Sequence, residues 1–231
     1  MNVSNHDRKR KIIRVFALIC GIFGLTILIA SIWPIVEYQL TKARTYATLL
    51  SPLIIQDKVN NKGNIDFTKA SNWFPEASGN KDFNHSKVAF YTISIPKLKI
   101  ENAVVSIGGE DLSKNLVQYP GTALPGKNGN AAIFGHSILP IFYNPKNYMA
   151  IFSTLPTLKK GDDILVNFDG ISYKFKVEEL FEILPTDIQI LQQDTTDSFL
   201  TLVTCVPPGD PRNPRRLIVR ARVVTDVSIN N

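Results

Sequence analysis

The sequence predicts a mainly β protein, a closed or nearly closed β-barrel or a sandwich, with few short helices and one N-terminal membrane-spanning helix. Three observations carry this expectation. Residues 15–33, VFALICGIFGLTILIASIW, form an uncharged apolar run. From Val88 onward the chain breaks into short runs of alternating apolar and polar residues, the period of half-buried strands. Proline falls at the ends of those runs, where no ladder hydrogen bond is lost, and many short strands of this kind build barrels or sandwiches.

The apolar run comes first. At about 1.5 Å of rise per residue it spans roughly 30 Å, the hydrocarbon thickness of a bilayer. Arg8, Lys9, Arg10, Lys11 and Arg14 precede it with Asp7 as the one acid, whereas Glu37 and then Lys42 are the first charges after it. Positive-inside asymmetry keeps residues 1–14 in the cytoplasm and sends the chain after Trp33 across the membrane. Ala30 and Ser31 do not make a small-x-small cleavage site, and the apolar core is long for a cleaved signal, so residues 15–33 read as an uncleaved signal-anchor. The net charge is +6, but beyond residue 14 the chain carries 21 basic and 19 acidic residues. That near balance gives no support for nucleic-acid binding, and no P-loop, dinucleotide-binding glycine pattern or zinc-finger spacing occurs.

Residues 34–86 form a lead-in. Val36, Leu40, Ala43, Ala47 and Leu50 recur at helical spacing, so residues 34–50 are expected to continue as helix. Residues 51–86 are rich in Asn, Lys, Ser and Gly, a composition expected to bury little and to act as a stalk or loosely packed lead-in. Residues 87–231 are expected to form one domain. In it, KVAFYTISIP alternates Ala89, Tyr91, Ile93 and Ile95 on one face. DDILVNF and ISYKFKVEEL flank Asp169-Gly170, a two-residue hairpin turn. SFLTLVTC and RRLIVRARVV are two further strands separated by a proline-rich loop, and NYMAIFSTLPTL is the main helix candidate.

The chain has two cysteines. Cys20 lies in the anchor, so Cys205 has no partner within the exported part. Such a thiol is an intermolecular disulfide, an inert buried group or a nucleophile. Cys205 closes a strand just before VPPGDPRNP, with the Arg215-Arg216 pair at the start of the next strand. Alternation places Arg216, Ile218, Arg220 and Arg222 on one face and Leu217, Val219, Ala221 and Val223 on the other. Of three histidines, His6 is cytoplasmic and His85 lies in the polar lead-in. His136 follows the apolar run Ala131–Phe134 through Gly135 and is the candidate base. One cysteine and one histidine do not make a four-ligand zinc site, and no metal or other cofactor is expected.

These residues resemble the sortases, the membrane-anchored cysteine transpeptidases of bacterial cell surfaces. TLVTC matches the family's TLxTC signature, YPGTALPGKNGNAAIFGH is similar to the segment that delivers its histidine, and RRLIVRA looks like the strand carrying its arginine. The likeness runs from ISIPKLKIENAVV to LIVRARVV, with LKKGDDILV also family-like. It implies a closed sortase-like β-barrel in a bacterial cell membrane, with the catalytic domain outside. It implies Cys205 as nucleophile, His136 as acid and base, and Arg216, ahead of Arg215, as the arginine. The reaction implied is cleavage of an LPxTG-like sorting signal through a thioacyl-enzyme. Transfer to an amine of a cell-wall precursor or another surface protein follows. A nearby imidazolium and guanidinium would favour the thiolate, since a free thiol titrates near 8.5.

Around the thiol, Thr204, Val206, Pro207 and Pro208 are expected to bind substrate. Pilus-assembling members carry a lid with an Asp-Pro-aromatic anchor and a second membrane segment. Here NWFPEAS lacks Asp-Pro, although Trp73 and Phe74 are lid candidates, and the chain ends TDVSINN. A sorting or anchoring enzyme is therefore favoured over a pilin polymerase. A catalytically silent binding module on the same barrel is the remaining alternative.

Overall fold

The computed structural model describes residues 3–37, 47–48, 66–74, 89–210 and 215–224. Helix α1, Val3–Glu37, contains a 21-residue apolar stretch, Ile13–Trp33, none of which is buried against the rest of the protein. Its length and composition fit a membrane anchor.

Nine strands are described: β1 (Ala47–Thr48), β2 (Ala89–Ile95), β3 (Ile100–Ile107), β4 (Leu116–Gln118), β5 (Gly129–Phe134), β6 (Asp163–Phe168), β7 (Ile171–Ile183), β8 (Ser198–Val206) and β9 (Arg215–Val223). The last eight run in the order β7-β6-β2-β3-β4-β5-β8-β9, and β9 returns to pair with β7, so the barrel closes. The β6–β7 hairpin turns on Asp169 and Gly170, with φ of 51° and 75°, the left-handed pair that a two-residue turn needs. Alternation then splits the strands. Ile93, Ile133, Phe175, Leu202, Leu217 and Val219 fill the barrel. Ala132, Phe134, Val203, Ile218, Phe181 and Ile183 form an apolar layer outside it.

That outer layer is covered by the lead-in. Ala70, Trp73 and Phe74 are fully buried on it, alongside Ile190 and Leu191 from the β7–β8 connection. The expectation that residues 51–86 bury little therefore fails at 66–74, where burying two aromatic side chains stabilises docking by roughly 1.5–3 kcal/mol each. Residues 51–65 and 75–86, His85 among them, lie outside the described residues. Residues 47–48 are also not helical. They pair in parallel with Phe181 and Glu182 of β7, satisfying backbone groups at an otherwise open edge.

NYMAIFSTLPTL forms successive turns and a 3-10 turn, Leu155–Thr157, rather than an α-helix. The amides of Ala150, Ser153 and Leu155 bond three residues back, while the Phe152 amide donates to the His136 carbonyl at 2.9 Å. That tertiary bond takes the amide an α-helix would have used.

Candidate active site

The β8–β9 register sets Cys205 directly opposite Arg216. Opposed residues share a face, and here it is the outer one. Arg216 is 1% exposed and its Nη1 lies 3.4 Å from Cys205 Sγ. Arg215 points to the opposite face, where its Nε lies 3.5 Å from Glu182 Oε2. Alternation thus places Arg216, and not Arg215, beside Cys205.

His136 reaches the same face from the end of β5, which runs parallel to β8 with Phe134 beside Val203. Gly135 makes this possible. A Cβ there would sit 2.5 Å from Phe152 Cδ2 and 2.6 Å from Leu116 Cδ2, so only glycine lets the backbone pass. Its amide donates to the Val203 carbonyl, and its carbonyl accepts from Thr204 Oγ1 at 2.8 Å. One residue on, Ser137 Oγ donates to the Cys205 carbonyl at 2.6 Å. The histidine loop is thereby tied to the cysteine strand at two points. Ser137 is a positioning residue that sequence reasoning missed, although it stands in GHS.

Trp73 gathers the groups. Its indole centroid lies 5.7 Å from the His136 ring and 5.6 Å from Phe134, and the Arg216 guanidinium sits 5.0 Å above it. Arg216 also lies 5.8 Å over Phe67 and donates from Nη2 to the Trp73 carbonyl at 3.3 Å. The segment is held by Trp73 Nε1 donating to the Phe67 carbonyl at 2.8 Å, and by backbone bonds from Ala70 to Glu110 and from Leu112 to Thr68. Phe67 had no sequence signal as a contact of the arginine.

Covering sets the protonation states. Burial lowers the His136 pKa from 6.5 to about 4, against the pull of the Asp66 and Asp111 charges. Burial likewise raises the Cys205 thiol, and only Arg216 opposes it. The ion pair expected from sequence is therefore not the favoured state here. Both groups are neutral because apolar cover penalises either charge. His136 Nε2 has no hydrogen-bond partner among the described residues.

The other residues expected to bind substrate are not on this face. Thr204 and Val206 are fully buried toward the barrel interior, Thr204 bracing Gly135 and Val206 packing in the inner core. Flanking a residue in a strand means facing away from it. Pro207 and Pro208 follow in the connecting turn, Pro208 buried and Pro207 partly so.

The chain matches the sortase domain model over residues 93–224. It is similar to sortase A of Bacillus anthracis, at 30% identity over 135 residues covering 57% of this chain and 58% of that protein. Sortase A of Streptococcus agalactiae is 25% identical over 141 residues, covering 61% and 55%. The chain thus spans less than two thirds of the length of these curated relatives. Among solved structures, it superposes on a Clostridium perfringens sortase D5 transpeptidase with TM-score 0.51 and 25% identity, covering 65% of this chain and 93% of that one. A lid mutant of sortase A from Corynebacterium diphtheriae gives TM-score 0.52 and 26% identity, covering 74% and 84%.

Proposed function

This chain belongs to the sortase family, and on that premise we propose that it is a membrane-tethered cysteine transpeptidase acting on LPxTG-like sorting signals. The observation that carries this is the buried Arg216 guanidinium 3.4 Å from the Cys205 sulfur, on an outer face that His136 also reaches. A fixed cation beside the sulfur suits both thiolate formation and a developing oxyanion.

The chemistry needs three groups. Cys205 gives its thiol proton to His136, its sulfur attacks the scissile carbonyl carbon, and the carbonyl π electrons move onto oxygen, where Arg216 donates. Collapse breaks the C–N bond, and His136 gives its proton to the leaving amine. The thioester then meets an incoming amine, from a wall precursor or another surface protein. His136 accepts that amine's proton, the new amide forms as the C–S bond breaks, and that proton returns to the departing Cys205 sulfur to restore the thiol.

The lead-in at 66–74 acts as a lid in this reading. Its Trp73 carbonyl accepts from Arg216 Nη2, a position suited to a substrate carbonyl, and Trp73 and Phe74 fill the apolar trough. Substrate must displace them, and the same step returns His136 and Cys205 to solvent and to their working charges. Undocking breaks the backbone bonds to Glu110 and Leu112 and the bond from the Ser71 hydroxyl to the Glu110 carboxylate.

Transfer is tested by incubating the full chain in detergent micelles with an LPxTG peptide and a glycyl amine, and identifying products by mass. An exchanged peptide with the glycine fragment released supports the reading. Hydrolysis alone makes the chain a peptidase. Peptide binding without turnover moves the silent binding module ahead.

A further inference from the structure

A cavity of about 290 Å³ opens beside the β7–β8 connection, lined by Asn130, Gln189, Gln192, Asp194, Phe199 and Arg220 among others. It belongs to the same outer face as Cys205. Arg220 opposes Thr201 across the β8–β9 ladder, and Thr201 is four residues before Cys205. At about 3.3 Å per residue the separation is roughly 13 Å. Between them lies the apolar trough of Ala132, Phe134, Val203 and Ile218, walled by Ile190 and Leu191.

Part of the pocket is committed to structure. Gln193 Oε1 accepts from the Ala123 and Asn130 amides, both at 3.0 Å, and its Nε2 donates to the Asn130 and Leu191 carbonyls. Asn130 donates to the Ile190 carbonyl at 2.8 Å and accepts from Thr201 Oγ1 at 2.6 Å. These bonds fix the wall.

Arg220 is different. Its Nε is buried with no hydrogen-bond partner among the described residues. Arg215 pairs with Glu182, Arg222 with Glu178 and Asp197, and Arg216 faces the thiol. Arg220 makes no ion pair within 4 Å among the described residues, although its charge acts on Asp194. Asp194 lines the same pocket; its Oδ1 accepts from the Thr196 amide and hydroxyl at 2.9 and 2.6 Å, and the Arg220 charge also acts on its carboxylate. Glu179, opposite Arg220 on β7, is exposed and forms no ion pair with it. The Gln189 and Gln192 side-chain carboxamides line the pocket with no hydrogen-bond partner among the described residues. The pocket thus sets a guanidinium fork and two carboxamides beside the single Asp194 carboxylate, with more donors than that one acid uses, and the surplus donors suit a second carboxylate.

The direction of the substrate follows from the cover. The acyl part must stay bound while one amine leaves and another enters, so it belongs in the walled trough. The amines belong at the open end of β8, beyond Val206. An extended peptide with its attacked carbonyl at Cys205 places its fifth residue, counting back from that carbonyl, about 13 Å away. That is the residue immediately before an LPxTG-type signal.

We propose that the Arg220 pocket is a distal substrate subsite that takes an acidic side chain from the residue preceding the sorting signal. The proposal rests on the transpeptidase reading above. It is tested with peptides X-Leu-Pro-Ala-Thr-Gly in which X is Glu, Gln or Lys. The rate of thioester formation is measured by intact mass on the full chain in detergent, on its Trp73→Gly variant, and on Arg220→Gln in both backgrounds. Glu at X is expected to exceed Lys by about tenfold or more in kcat/KM. Arg220→Gln should reduce that preference to under about twofold and leave the Lys peptide's rate within about twofold. Equal rates for all three peptides on unmodified Arg220 overturn the subsite, with no variant needed. So does a preference that persists in Arg220→Gln. No adduct from any peptide in either background overturns the transpeptidase reading and the subsite with it.

Discussion

Replacing Trp73 with alanine should raise the pKa of His136. Burial holds that imidazole at about 4 against an ordinary 6.5, which corresponds to roughly 3 kcal/mol of preference for the neutral ring. Trp73 is fully buried, lies 5.7 Å from the imidazole and roofs the arginine as well. Removing it admits water to the ring while leaving Asp111 and its charge in place, so the pKa should climb toward 6.5. The assay is a pH titration of the imidazole carbon signals in full-length protein labelled at histidine. Three histidines are present, and His136→Gln assigns the relevant signal. The wild type should titrate near 4 and Trp73→Ala at 6 or above. In the same variant the burial that raises the Cys205 thiol is relieved, so alkylation at pH 7.5 should quicken by about tenfold or more. A His136 pKa that stays near 4 in Trp73→Ala would refute the claim that the lead-in sets these protonation states.

Further outcomes follow from the same geometry. Arg216→Gln should keep the fold but slow thioester formation by about a hundredfold or more, read by single-turnover mass spectrometry with melting temperature as the folding control. Gly135→Ala forces a Cβ to 2.5 Å from Phe152 and should cost about 1–3 kcal/mol of stability in denaturant unfolding, with a disproportionate loss of activity as His136 shifts. The His136 pKa is depressed in the folded chain, so the unfolded chain binds the extra proton between pH 6.5 and 4, and stability is lost as pH falls through that window. Between pH 7.5 and 5 the loss is about 2 kcal/mol. His136→Gln should remove that component, and an identical acid dependence in the variant would contradict it.

Much of the barrel is legible from local pattern. The Asp169-Gly170 turn fixes one hairpin, and the alternation of β9 sorts Leu217, Val219 and Ala221 inward and Arg216, Ile218 and Arg220 outward. That alternation also puts Arg216 rather than Arg215 on the Cys205 face. The parallel β5–β8 pairing and the β7–β9 closure are long-range choices with no local mark. The lead-in shows how averaging misleads: its polar composition hides Ala70, Trp73 and Phe74, which bury completely because the outer barrel face offers an apolar bed. Thr204 and Val206 turn their side chains away from the Cys205 face, because sequence adjacency in a strand implies the opposite face. The neutral states of Cys205 and His136 were beyond sequence too, since it shows which charges stand near but not what excludes water from them.

The central claim is that Cys205 forms a thioester with a sorting signal on the face shared with Arg216. Intact mass spectrometry of the full chain in detergent, mixed with LPxTG-like peptides and run beside Cys205→Ala, tests it directly. The account predicts a peptide-sized mass gain on the wild type alone, larger in Trp73→Gly and discharged by an added amine. A gain of the same size on Cys205→Ala, or none on any Cys205-containing chain that remains folded, would contradict it.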